Sequence, residues 1–326
     1  MKQMSGSRIA RTAGIFSALV LALAGCGQSA VDDTAEAAPA DGEWPSELTF
    51  VSIPSEEQTS LVEEFDTVIS LLEDELDASI QVETATDYAA VIEAMRSEQA
   101  DLANFGPFSF VTAVDSGAGA VPVAVSVEDQ DADPSYVSYG IAAADNDEID
   151  SLEDFEGRTV CFVDQVSTSG FLYPSAGLLE LGIDPEADVD AQNTGGHDAS
   201  ALSVVNDDCE AAFAYDTMID VQLIETGQLA EDDLKVVWES PDIPSAPFAA
   251  NENTLPEDML AEIRQIFTEQ VNVEWLTENG YCDSEDDCPI PSVDEGWGYV
   301  EADDSVYDGI REVCEITEAE ACTEGQ

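Results

Sequence analysis

LTFVSI (48–53), LVEEFDTVISLLEDEL (61–76), IQV (80–82), YAAVIEAMRS (88–97) and DLANF (101–105) follow one another with short joints between them. Their apolar spacing decides the fold. The first, third and fifth are apolar runs of strand length. In the second, Leu61, Val62, Phe65, Val68, Ile69, Leu72 and Leu76 recur at the spacing of one helix face. Strand, helix, strand, helix, strand makes two consecutive βαβ units. Such units place parallel strands in one sheet through right-handed crossovers, and ligands gather at the strands' carboxyl ends.

Further along, the alternation repeats, with a strand at Arg158–Val163, helices at Ser169–Leu181 and Asp198–Val205, a strand at Glu210–Ala214 and a helix beyond Asp216. Strand-like runs at Tyr136–Ala142 and Lys235–Trp238 bracket this set. The chain is therefore expected to cross between two lobes twice, through a hinge of two strands. From Pro256 the tail carries a helix and a Cys-rich segment and is expected to return to the first lobe. The expected fold class is α/β in two lobes, 44–137 with 238–326 and 138–237, and a length of 326 residues suits two such bodies. No internal repeat is visible after residue 43.

The charge narrows the partners. Against 72 Asp and Glu stand 8 Lys and Arg, a formal charge of −64, and such a field repels nucleic acid and anionic lipid surfaces. With 44% hydrophobic residues the chain still has enough apolar material for a sizeable core. Three of the basic residues, Lys2, Arg8 and Arg11, precede an apolar run from Ala13 to Gly25. A membrane-spanning helix needs about 20 apolar residues, so this run is too short to span and reads as a secretion signal, residues 1–25, removed on export. It ends in Leu23-Ala24-Gly25-Cys26, which resembles the lipobox of bacterial lipoproteins, with Cys26 as the lipidated first residue of the mature chain. Removal of three basic and no acidic residues takes the formal charge to −67. Residues 26–43 hold almost nothing to bury and have the composition of a flexible tether, so folded structure is expected to start near Trp44.

The acidic excess is spread along the chain, and its plainer meaning is a solvated surface suited to salty surroundings. Asp129, Asp131 and Asp133 imitate the start of a calcium loop, but Pro134 and Gly140 stand where that loop needs Gly and Glu. Setting Cys26 aside leaves six cysteines, an even number in an oxidising compartment, which points to disulfides. Six cysteines allow fifteen pairings. The close pairs Cys282 with Cys288 and Cys314 with Cys322 would staple local loops, and Cys161 with Cys209 would join two segments of the second lobe. Zinc is the weaker reading, because the spacings lack a CxxC and the single histidine, His197, is far from them.

Several candidate ligand contacts stand at expected strand-to-helix junctions. Val166-Ser167-Thr168-Ser169-Gly170 opens a helix, where free N–H groups, the helix dipole and three hydroxyls make an oxyanion cradle without Lys or Arg. The plainer reading is an ordinary helix cap. Gly195-Gly196-His197-Asp198 opens another helix, and its ring is placed to donate to an oxyanion. Tyr215-Asp216 pairs a donor with an acceptor suited to a ligand P–OH or amino group. In the first lobe Thr86-Asp87-Tyr88 opens a helix, and Phe105-Gly106-Pro107-Phe108 is expected to set backbone donors and an aromatic wall opposite the cradle.

The sequences TDYAAVIEAM (86–95), NFGPFSF (104–110), VSTSGFLYPSAGL (166–178), GGHDAS (195–200) and FAYDT (213–217) resemble, in order, those of the phosphate/phosphite/phosphonate substrate-binding lipoproteins of ABC importers. The resemblance implies a periplasmic-binding-protein fold of type II topology. Its lobes would close on a small phosphorus oxyanion and deliver it to a membrane permease driven by a cytoplasmic ATPase. Carried over by motif, Tyr88, Ser167, Thr168, Ser169, His197, Tyr215 and Asp216 are the ligand contacts. One departure lies in Ser240–Pro247, where some relatives bear an acidic residue and this chain has Ser245 and Ala246, which favours a small ligand over an aminoalkyl one. The expected protein is a monomer without cofactor, metal or catalytic residues, held to the membrane by its lipid. A hydrolase using His197 and a Ser nucleophile lacks a G-x-S-x-G elbow. A ligand-sensing lipoprotein for a membrane receptor would share the fold, and the resemblance favours transport.

Overall fold

A computed structural model describes residues 44–54, 61–285, 288–291 and 296–323. The expected signal segment, Cys26 and tether lie outside the described residues. The chain starts as read: β1 (Glu47–Ser52), α1 (Leu61–Leu76), β2 (Ser79–Thr84), α2 (Tyr88–Arg96) and β3 (Leu102–Asn104), with β1 parallel to both β2 and β3. Alternation along β1 sends Phe50 to one face of the sheet and Val51 to the other. On the Phe50 side, Phe65, Val68 and Leu72 of α1 close a core with Phe248 and Phe267.

After α3 (Pro107–Asp115) and β4 (Ala120–Val127) the chain passes through β5 (Ser135–Tyr136) into β6 (Ser138–Ala143), β7 (Thr159–Phe162), α4 (Tyr173–Glu180), β8 (Asp190–Asn193), α5 (His197–Val205) and β9 (Ala211–Tyr215). A π-helical turn, Met218–Gln222, runs into α6 (Leu223–Glu225), and β10 (Leu234–Glu239) completes the second sheet. The return runs through β11 (Ile243–Pro244) to β12 (Pro247–Asn251), α7 (Glu257–Glu269), α8 (Val273–Asn279), β13 (Gly298–Glu301) and α9 (Asp308–Thr317).

Among the described residues the first sheet has the order β13-β4-β12-β3-β1-β2 and the second β10-β6-β9-β7-β8. The two share one plan. In each, three parallel strands stand in the order second, first, third, and the next neighbour is an antiparallel strand that has just arrived from the other lobe, β12 in one and β6 in the other. This is the type II topology. The hinge is the small antiparallel ladder β5–β11, so the expected run Tyr136–Ala142 divides into a hinge strand and a sheet strand.

Three elements depart from the sequence reading. The helix expected over Ser169–Leu181 opens with a π turn, Thr168–Leu172, before α4 begins. β8 is a polar edge strand, exposed along its length, and so carries no apolar alternation. β4 lies between β12 and β13 despite Pro122, and the β12 register shifts beside it.

The six cysteines form Cys161–Cys209, Cys282–Cys288 and Cys314–Cys322. The first spans 48 residues and ties β7 to the loop before β9. A loop of that length confines the unfolded chain by about 4 kcal/mol in the chain-entropy picture. Replacing Cys161 and Cys209 together by Ser should lower the unfolding free energy by roughly that amount. Denaturant titration with and without the pair checks this, and an unchanged midpoint would contradict it.

Candidate functional site

Helix N-termini from both sheets meet around one cavity of about 150 Å³. Each is exposed there by its own sequence. Asp87 caps α2 by accepting from Ala90 N–H at 2.8 Å, which puts Tyr88 at the first helical position. Gly106 and Pro107 open α3, and Gly106 lines the cavity. Ser167 caps the π turn, its Oγ accepting from Gly170 N–H at 3.1 Å. A side chain at Gly170 is excluded, since a Cβ would lie 2.3 Å from Val163 Cγ2, so the turn can seat tightly on β7 only with glycine. Gly195, with φ of 87°, turns the chain so that Gly196 caps α5 without a side chain and His197 is its first residue.

The seven expected contacts all line this cavity: Tyr88 from the first lobe, and Ser167, Thr168, Ser169, His197, Tyr215 and Asp216 from the second. Ser167, Thr168 and Ser169 are no more than 2% exposed. Two of the three hydroxyl oxygens already accept hydrogen bonds. Ser167 Oγ meets Gly170 N–H and stands 3.3 Å from His197 Nε2, and Thr168 Oγ1 accepts from Phe108 N–H across the lobes at 2.8 Å. The Ser167 hydroxyl also bonds the Tyr88 phenol, and those of Ser169 and Thr168 the Tyr136 phenol, so the hydroxyls form one network at the cavity wall, beside N–H groups of the first turn that have no helical partner.

His197 belongs to the same donor set. Tyr215 N–H donates to Nδ1 at 3.3 Å, which makes Nδ1 the acceptor and leaves the proton on Nε2, facing Ser167. Burial lowers the His197 pKa from 6.5 to about 3, so the ring is neutral. In this tautomer it cannot take the Ser167 proton, which removes the general base a hydrolase would need. Burial also pushes the hydroxyls of Tyr88 and Tyr136 above the usual phenol range, against a pull from Ser167 on the one and Ser169 and Thr168 on the other, so both remain protonated donors.

Two expectations need adjusting. The Tyr215 hydroxyl lies 2.6 Å from Gln222 Oε1, so besides lining the cavity it pins the following π turn, while its ring meets His197 edge-on at 4.6 Å. The aromatic wall from the Phe105-Gly106-Pro107-Phe108 motif is absent from the cavity lining. Phe105 and Phe108 turn into the core, and the motif gives the cavity Gly106 alone.

Asp216 is the acceptor among donors. Its Oδ2 accepts from Val137 N–H at 3.2 Å and its Oδ1 from Thr217 N–H at 3.0 Å, which clasps it to the hinge passage. Burial raises its pKa, partly offset by those N–H bonds. Glu128 and Asp133 also line the cavity, Asp133 from the run that imitates a calcium loop, whereas among the described residues no Lys or Arg does. Ser245 and Ala246 line it where the departure from the resemblance was noted. Tyr136 was not singled out by sequence; it sits in a two-residue hinge strand, where neither periodicity nor a helix start marks it.

The family described as "ABC transporter, phosphonate, periplasmic substrate-binding protein" matches residues 50–279. The chain is 40% identical over 329 residues to the phosphate-import protein PhnD of Mycolicibacterium smegmatis, covering 99% of each. It is 30% identical over 210 residues to the phosphonates-binding periplasmic protein of Escherichia coli, covering 63% of this chain and 61% of that one. Among solved structures, a binding protein of an ABC phosphonate transporter from Pseudomonas aeruginosa superposes with a TM-score of 0.71 at 25% identity, over 85% of this chain and 87% of the other. A Prochlorococcus marinus protein in complex with methylphosphonate reaches the same TM-score at 20% identity, over 84% and 99%, which speaks for the fold. The chain belongs to the periplasmic substrate-binding proteins of phosphonate ABC transporters, and it is a binding component, not an enzyme.

The buried neutral histidine has a measurable signature. Its pKa is about 3 folded and 6.5 when free, so between these values the unfolded chain binds the extra proton and stability falls as pH drops below about 6.5. From pH 7 to pH 5 the Tm should fall further in the wild type than in His197→Gln. Parallel falls in both would remove the neutral, buried ring from the site.

Proposed function

We propose that this chain captures a small phosphorus oxyanion, a phosphonate, phosphite or the closely related phosphate, between its lobes and delivers it to an ABC permease. The carrying observation is the cavity itself, where neutral O–H and N–H donors converge from both lobes and, among the described residues, no cationic side chain takes part. A volume of about 150 Å³ is half or less of the roughly 300 Å³ at which drug-sized sites begin, which suits an oxyanion with at most a short substituent. The names of the two curated relatives divide between phosphate and phosphonates, which supports the class and leaves the member to the cavity's acceptors. Asp216 fits an oxyanion that still carries a P–OH, because a bare dianion beside a carboxylate meets repulsion without a hydrogen bond to offset it.

The same reading places residues 44–137 with 238–326 in one moving lobe and 138–237 in the other, joined at β5–β11. Cys26 serves as the lipid anchor, and the protein works as a monomer tethered outside the membrane by residues 26–43.

Calorimetric titration of the chain from residue 44, in high salt, against phosphate, phosphite, methylphosphonate and aminoethylphosphonate tests the cargo. One-to-one binding of at least one is expected. Ser167→Ala with Thr168→Val should weaken it about a hundredfold or more, by loss of hydrogen bonds to a charged ligand, and His197→Ala about tenfold, by loss of the ring that holds Ser167 Oγ in place. Absence of heat with all four from a folded sample would end the reading. The anchor is checked separately: Cys26→Ser should move the protein from the membrane fraction to the soluble one, and continued membrane association would exclude the lipid.

A further inference from the structure

The turn that carries the cradle has a gap in its own hydrogen bonding. In the π turn, N–H groups donate five residues back: Leu172 N–H to Ser167 O at 3.0 Å, and Tyr173 N–H to Thr168 O. The next carbonyl in this ladder, Ser169 O, would meet residue 174, which is Pro174 and has no N–H. A buried carbonyl left without a donor is unfavourable.

The donor comes from the hinge. Ser138, the first residue of β6 and 0% exposed, donates its hydroxyl to Ser169 O at 2.6 Å. Its backbone is locked to the returning passage, since Ser138 N–H donates to Ser240 Oγ at 2.9 Å and Ser240 N–H donates to Ser138 O at 2.9 Å. Ser138 and Ser240 join the two crossings close to the β5–β11 ladder, and the hydroxyl of one enters the backbone of the cradle. Ser138 does not line the cavity.

We propose that Ser138 is a positioning residue for anion capture: its hydroxyl ties the Ser167–Ser169 turn to the hinge crossing, so that the donors hold their aim while the lobes move. The proposal rests on reading the cavity as an oxyanion site. The hydroxyl replaces the missing N–H of Pro174, and each should be able to stand in for the other.

The test uses Ser138→Ala, Pro174→Ala and the double variant in the full-length chain in detergent. Inorganic phosphate and methylphosphonate serve as calorimetric probes, and amide hydrogen exchange is followed over residues 168–173. Ser138→Ala should weaken binding on the order of tenfold and speed exchange in the turn. Adding Pro174→Ala restores an N–H five residues after Ser169 and should recover most of both losses, which a merely structural role for Ser138 would not show. Unchanged affinity and exchange in Ser138→Ala, or a loss that Pro174→Ala leaves in place, overturns the proposal. Should Ser138→Ala not fold, a folded double variant supports it and failure of both overturns it. If the wild type binds neither probe while exchange follows the expected pattern, the oxyanion reading falls and the tie between hinge and turn stands.

Discussion

An anion bound without a cation must find every donor already in place. In water the oxyanion is met by mobile dipoles, and a cavity that has no Lys or Arg among the described residues can replace them only with fixed N–H and O–H groups that are prevented from turning away. The fold answers this by ending its strands at helix starts. β7 leads to the π turn, the strand before α5 to Gly196, β9 to Asp216, and β3 to Gly106 of the facing lobe. The helix dipoles add their positive ends at the same point without adding a formal charge. In a chain with a formal charge of −64, this separates ligand affinity from the sign of the surface.

The basic residues serve elsewhere. Arg158 pairs with Glu148 and Glu210, Lys235 with Asp150, and Arg311 with Asp115, Asp304 and Asp308, all at partly exposed positions. Such pairs contribute little singly, but Arg311 joins three carboxylates that would otherwise repel one another near the start of α9. The lobes meet through neutral contacts instead, with Phe108 N–H on Thr168 Oγ1 and Val163, Val166 and Leu172 packed into the core of the first lobe.

What the sequence made legible was whatever depends on short-range pattern. The βαβ spacing from Leu48 to Phe105 read correctly because Phe50, Phe65 and Val68 repeat at intervals that only one face of a strand or helix can satisfy. The helix start at Ser167 was visible because Ser, Thr and Gly before an apolar run mark a cap, whether or not the cap also meets a ligand. Tyr136 was not, because its place in the cavity arises from two distant hinge strands meeting. Phe105 and Phe108 were misplaced because spacing near a helix start does not tell which way the first turn rotates. The π turn left no mark in apolar periodicity, and Pro174 was its one visible trace.

Two of the cradle's three hydroxyl oxygens already accept, Ser167 Oγ from Gly170 N–H and His197 Nε2–H and Thr168 Oγ1 from Phe108 N–H. The carboxylate acceptors of the cavity are others, Glu128, Asp133 and Asp216. A water molecule needs acceptors for its own two protons, and in this cavity the carboxylates can supply them. Donors and acceptors in one cavity hold water in different ways, and a guest that both accepts and donates can replace it on both.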